Sequence, residues 1–113
     1  MKIPAIPFTV TDLSRLPKTV HPGETGTAFW RTWEAEGLRV RLVEFSAGFK
    51  ADHWCGRGHV LYVLEGELFI RLKDGRERKM TAGMSFQVGD DEANPHLSIR
   101  IREPRSLSPI EAY

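Results

Sequence analysis

The stretch that decides the fold is His53-Trp-Cys-Gly-Arg-Gly-His59, which runs directly into the apolar segment Val60–Leu64. Three side chains of metal-binding type occupy odd-numbered positions in it. Successive side chains of an extended strand point to opposite faces, so this spacing predicts that His53 and Cys55 lie on the same side. The two glycines of the stretch permit a bend that brings His59 toward the same point. The stretch therefore predicts a metal or small-molecule pocket.

A fourth candidate ligand, His96, follows a polar and acidic turn far downstream. A thiolate combined with imidazoles favours zinc, iron or nickel over magnesium or calcium. If His53, Cys55, His59 and His96 all bind zinc, the site is closed and tetrahedral, whereas three histidines alone leave coordination positions open. A third interpretation makes Cys55 a reactive thiol, and candidate catalytic residue, activated by a neighbouring histidine. The sequence leaves these alternatives open.

Length and composition indicate one globular domain. The chain has 113 residues, of which 41% are hydrophobic and 27% charged, with a formal net charge of +1. This charge balance gives no electrostatic reason to expect nucleic acid or an anionic membrane as a partner. Residues 1–27 are predicted to be an irregular N-terminal arm with one helical turn near Thr11–Leu16, and residues 28–113 a single domain.

The sequence also suggests a location. It contains no apolar run of the roughly 20 residues that a membrane-spanning helix needs. Its first residues hold two prolines and lack the apolar core of a signal peptide. A lone cysteine excludes an intrachain disulfide framework. We therefore expect a cytoplasmic protein.

The remaining pattern indicates an all-β fold. Turn signals recur every 8–12 residues, no helical period exceeds one turn, and about seven or eight short strands result, typical of an antiparallel sandwich or jelly-roll barrel. The predicted strands are Phe29–Glu34, Leu38–Leu42, Val60–Leu64, Glu67–Lys73, Arg76–Met80, Met84–Val88 and His96–Ile101, with at most one edge strand in the tail.

Some of these strands carry predictions about which side chains are buried. Leu38–Leu42 alternates between apolar and basic residues, which predicts that the apolar ones point inward and that Arg39 and Arg41 face solvent. The continuous apolar run Val60–Leu64 predicts a strand buried on both faces. His21 is expected to be a solvated loop residue.

The motif spacing resembles that of a cupin, a small double-stranded β-helix. The first cupin motif contains His-x-His, three or four residues, Glu, six residues and Gly; here His53, Cys55, His59 and Gly66 occupy these positions. His96 takes the place of the histidine in the second motif, whose Pro-x-Gly is absent. The resemblance implies a jelly-roll barrel of about eight strands with a metal site at the three histidines and the cysteine.

Within the cupins, the chain resembles the small single-domain proteins called DHCW-motif cupins. Residues 52–55 carry the same four residue types, in the order Asp-His-Trp-Cys, and residues 23–32 are also similar. Cys55 replaces the second histidine of the usual ligand set and His59 replaces its glutamate. The resemblance therefore implies a fold and a site position rather than a particular reaction.

These observations predict a small cupin that binds a divalent transition metal (zinc, iron or nickel) and a small organic ligand. As an enzyme it would be a dioxygenase, isomerase or lyase, but the sequence leaves open whether it is an enzyme. The alternatives are a non-catalytic cupin that binds or senses a small molecule, and a cupin that has lost its metal. A homodimer is expected.

Overall fold

The structure, a computed structural model, describes residues 3–90, 93–99 and 109–112. Within these residues the chain forms one 3₁₀ turn at Leu13–Arg15 and nine strands. The strands are β1 (Thr19–Pro22), β2 (Thr27–Ala35), β3 (Leu38–Phe45), β4 (His59–Val63), β5 (Glu67–Leu72), β6 (Glu77–Thr81), β7 (Ser85–Val88), β8 (His96–Ile99) and β9 (Pro109–Ala112).

The strands form two antiparallel sheets. One has six strands in the order β1-β2-β3-β9-β4-β7, and the other has three in the order β6-β5-β8. The predicted all-β fold with short antiparallel strands is confirmed. Residues 100 and 101 of the last predicted strand lie outside the described residues.

Glycine turns set the register of two hairpins. Glu36 and Gly37 both have positive φ, 51° and 79°, as a two-residue turn between β2 and β3 requires. Gly75, with φ 99°, follows Asp74 in the tight connection between β5 and β6, and this turn separates the two strands predicted on either side of it.

The core lies between the two sheets and is built mainly from the inner faces of β3, β4 and β5. Its buried apolar residues are Ala28, Val43, Phe45, Phe49, Leu61, Val63, Leu68, Ile70, Met80 and Leu97. On β3 the buried residues are the odd-numbered ones, including Arg41. The sequence prediction for this strand was therefore inverted: Leu38, Val40 and Leu42 are only half-buried and lie on the outer face.

The N-terminal segment explains that inversion. Thr9, Thr11 and Leu13 line a groove with Trp33 and Val40 on the outer face of β2 and β3. Because the N-terminal segment covers this outer face, apolar residues are favourable there too. The alternation of apolar and basic residues therefore does not show which face is the interior. The 3₁₀ turn begins after Asp12, whose carboxylate accepts a hydrogen bond from the Ser14 amide, as the predicted helical turn required.

Three further predictions were wrong. β4 is buried on one face only, because Val60 and Tyr62 are exposed. His21 is not in a loop but in β1, within the segment predicted to be irregular, and pairs with Ala28 of β2. β9 is not an edge strand: it lies between β3 and β4 and pairs with both. Among the described residues no helix is long and apolar enough to cross a membrane.

Candidate metal centre

Three potential metal ligands meet between the two sheets. One ligand atom each from Cys55, His59 and His96 lies within 4.8 Å of the other two. Both histidines are buried and Cys55 is half-buried. Donor atoms around a tetrahedral ion with bonds of 2.0–2.3 Å are roughly 3.3–3.8 Å apart, so side-chain adjustments of about 1 Å would complete such a site. The donor set, one thiol and two imidazoles, suits a transition metal.

The backbone positions two of these ligands directly. The Cys55 amide donates to the His96 carbonyl at 2.8 Å, and the His96 amide donates to the Cys55 carbonyl at 2.9 Å. These two bonds define an antiparallel bridge in which the residues stand opposite each other. Opposed residues of an antiparallel pair present their side chains on the same face, so the thiol and the imidazole are held close together.

The third ligand, His59, begins β4 and shares its inner face with Leu61 and Val63. Its Nδ1 lies 3.2 Å from the Arg57 carbonyl oxygen. A carbonyl can only accept a hydrogen bond, so this contact assigns the proton to Nδ1 and leaves Nε2 with a lone pair for a metal.

Burial also sets the charge of the second imidazole. Desolvation, and to a lesser extent the neighbouring His59, lowers the pKa of His96 to about 4. The ring is therefore neutral at pH 7, which is the form that binds metals. The two imidazoles lie 4.7 Å apart between ring centres, and Phe86 packs edge-on against both.

His53, the remaining predicted ligand, lies apart from this cluster. Its side chain is 76% exposed, and its Nδ1 is 2.6 Å from the carboxylate of Asp52. The backbone explains why. Bridges join Lys50 to Ile99 and Cys55 to His96, so residues 51–54 oppose only residues 97–98, and the two extra residues bulge outward. The strict alternation assumed for this segment does not hold through a bulge.

Gly58 lets the segment that precedes His59 pack closely against the end of β7. The Gly58 amide donates to Oδ1 of Asp90 at 2.6 Å. A Cβ at this position would lie 2.8 Å from three backbone atoms: the Val88 oxygen, the Gly89 carbonyl carbon and the Asp90 nitrogen. Backbone atoms cannot rotate away, so the segment before His59 can approach β7 this closely only with glycine. Asp90 belongs to the acidic turn singled out in the sequence, and its other two acidic residues lie outside the described residues.

Gly58→Ala should therefore disturb both fold and site. We expect the clash to lower the free energy of unfolding by about 1–3 kcal/mol, because the backbone around His59 must shift. Chemical denaturation measures this change. Gly89→Ala is the matched control, because a Cβ there meets no atom within 4 Å. Equal stability of the two variants would contradict the close approach.

The cluster opens onto a cavity of about 140 Å³ between the two sheets. All three clustered residues line it, and so do Asp52 and the exposed His53. The rest of its wall is formed by His21, Pro22, Ala28, Trp30, Arg41, Val43, Phe45, Phe49, Ala51, Leu97 and Ser98. A second cavity, of about 330 Å³, shares only His96 with the cluster.

One wall of the smaller cavity carries His21, Trp30 and Arg41, none of which was among the predicted ligands. The His21 ring stacks on Trp30 at 3.5 Å, and the Arg41 guanidinium lies 3.7 Å from the centre of the same indole. Desolvation and the charge of Arg41 lower the pKa of His21. Only the register of β1, β2 and β3 brings these residues together, so the sequence offered no local signal for them.

Comparison with solved structures identifies the fold. A sugar phosphate isomerase of the cupin superfamily from Silicibacter pomeroyi is similar in structure, with 17% sequence identity and a TM-score of 0.70. The alignment covers 92% of this chain and 74% of the isomerase chain. For an RmlC-like cupin from Shewanella frigidimarina the alignment covers 96% of this chain and 89% of the cupin chain, with 21% identity and a TM-score of 0.69. For the hydroxypropylphosphonic acid epoxidase of S. wedmorenis the alignment covers 93% of this chain and 58% of the epoxidase chain, with 14% identity and a TM-score of 0.67.

This epoxidase also matches in an iron(II) form, with a TM-score of 0.71. No family model and no curated protein sequence matches the chain. The chain therefore has the cupin fold, as the resemblance implied. Its closer likeness to the DHCW-motif cupins stays a prediction.

Proposed function

We propose that this protein is a metal-dependent cupin enzyme that acts on a small organic molecule. Cys55, His59 and His96 hold a divalent transition metal, and the substrate occupies the adjoining 140 Å³ cavity. When bound there, the metal supplies Lewis acidity and open coordination positions. The reaction classes this arrangement suits are isomerisation, lyase chemistry and dioxygenation. The observation that carries the proposal is the convergence of three donors on one point of the cavity wall.

The position of His53 supports an open centre over a closed structural one. Four protein donors would satisfy a tetrahedral ion completely, whereas three leave room for water or substrate. The bulge at residues 51–54 separates His53 from the other three donors. Three donors, all of them on the wall of one cavity, are typical of catalytic rather than structural sites.

The comparisons support the same proposal at a coarser level. An isomerase and an epoxidase with an iron(II) form share this fold. The 140 Å³ cavity is favoured over the 330 Å³ one because it contacts all three donors. The homodimer and the cytoplasmic location stay predictions.

Cobalt(II) titration of untagged, metal-free protein tests the proposal. We expect one ion per chain and a thiolate-to-cobalt charge-transfer band if Cys55 is a ligand. Azide, which fills open coordination positions, should then shift the visible bands of the bound cobalt. The absence of stoichiometric binding would refute the proposed function. Binding without any response to azide would indicate a closed site that only braces the barrel.

Cys55→Ser should remove the charge-transfer band and weaken metal binding by at least about 100-fold. Removing a residue that only hydrogen-bonds to a ligand already lowers metal affinity about 10–100-fold, and Cys55 is proposed as a ligand itself. Bound metal should also protect the wild-type thiol from iodoacetamide. Unchanged affinity in the Ser variant, together with a thiol that iodoacetamide modifies equally with and without metal, would assign Cys55 to the pocket wall instead.

A further inference from the structure

Arg41 is a charged side chain buried between the two sheets. It lies on the inner face of β3 and is only 6% exposed. It lines the 140 Å³ cavity together with Cys55, His59 and His96. Charged side chains are rarely this deeply buried, and a buried charge is stable only where neighbouring groups compensate for its lost hydration.

The surroundings of Arg41 fix the plane of its guanidinium. Its Cζ lies 3.7 Å from the ring centre of Trp30, and its Nε donates to Oγ1 of Thr32 at 3.2 Å. His21 stacks on the same indole at 3.5 Å. Two groups this near one ring centre cannot share a face, so Trp30 is held between His21 on β1 and Arg41 on β3. A clamped guanidinium loses little further entropy when it binds a partner.

Resting on the proposed function, the geometry points to a carboxylate as part of the natural ligand, with Arg41 as the residue that binds it. Two parallel N–H groups of a planar guanidinium, its fork, match the two oxygens of a carboxylate. Hydrogen bonds between these charged groups are roughly twice as strong as those between neutral groups. A cavity of about 140 Å³ is close in size to the roughly 150 Å³ cavity that holds one benzene molecule, so it suits a small ligand. The predicted ligand class is a short-chain carboxylic acid whose other polar group faces the metal centre.

Lactate and lactamide distinguish a charged from a neutral ligand of the same size. A Trp33→Phe/Trp54→Phe background leaves Trp30, which contacts Arg41, as the sole tryptophan. We expect lactate to change Trp30 fluorescence in a saturable way, and lactamide to bind at least about tenfold more weakly. Equal affinities would overturn the inference.

Arg41→Met should lower lactate affinity at least tenfold. Arg71→Met is the matched control, because Arg71 pairs with Glu77 on the surface, and it should leave the affinity unchanged. If the Met variant does not fold, Arg41→Lys keeps the charge without the fork and should still weaken binding. Wild-type affinity in a folded Arg41 variant would overturn the inference.

Metal content, measured by elemental analysis on the same samples, separates the two proposals. Arg41-dependent lactate binding by a protein that holds no metal would refute only the metal centre. Metal retention with Arg41-independent lactate binding would refute only this inference.

Discussion

His96→Gln should leave the protein unable to retain a metal ion. Wild-type protein loaded with zinc or iron and then dialysed should keep about one ion per chain, and the variant close to none. The physical reason is that the variant lacks one of the three donor atoms. Removing a residue that only hydrogen-bonds to a ligand already weakens metal binding about 10–100-fold, so removing a ligand should weaken it by at least about 100-fold. Elemental analysis of the dialysed proteins gives the answer directly.

His53→Gln is the matched control for this experiment. It makes the same chemical change at a histidine whose ring is exposed and contacts Asp52. Metal retention should be unaffected in this variant. If the His53 variant also loses its metal, His53 belongs to the ligand shell and the predicted four-donor set is restored. Thermal unfolding of the metal-free proteins verifies that both variants are folded.

Leu61→Ala should lower the free energy of unfolding by about 2–5 kcal/mol, the range found for large-to-small substitutions in a core. Leu61 is fully buried on the inner face of β4, between His59 and Val63. The substitution removes apolar contacts and leaves a cavity that its neighbours fill only in part. Urea unfolding measures the change.

Two valines of the same strand provide an internal comparison. Val63 is fully buried, whereas Val60 is 36% exposed on the opposite face. Valine to alanine lowers β-propensity equally at both positions, so the difference between the two variants reports burial. We expect about 2 kcal/mol for Val63→Ala and less than about 1 kcal/mol for Val60→Ala. Similar losses would mean that both faces of β4 are covered, as the sequence had suggested.

Much of this architecture could be predicted because it follows from local rules. Short segments of β-forming residues, separated by turn residues such as Asp74-Gly75, predicted β2 to β8, with most of their bounds within one residue. Cys55, His59 and His96 were identified by motif spacing, and the structure brings them together. The fold and the region of the site are therefore available from the residues themselves.

What the sequence could not provide depends on contacts between distant segments. The outward position of His53 results from a mismatch with residues 96–99, more than 40 positions along the chain. The inward position of Arg41 could not be deduced from the alternation, because the N-terminal segment covers the other face of its sheet and makes apolar residues favourable there. Alternation in a strand indicates two distinct faces, but only the tertiary structure decides which is the interior.

The central place of β9 has a consequence for how the protein folds. β3 and β4 do not pair with each other; Pro109–Ala112 joins them. During synthesis both strands keep an open hydrogen-bonding edge until residues 109–112 have been made, and open edges invite pairing with other chains. Closure of the large sheet is thus a late step, and a nascent or truncated chain is the form most exposed to aggregation.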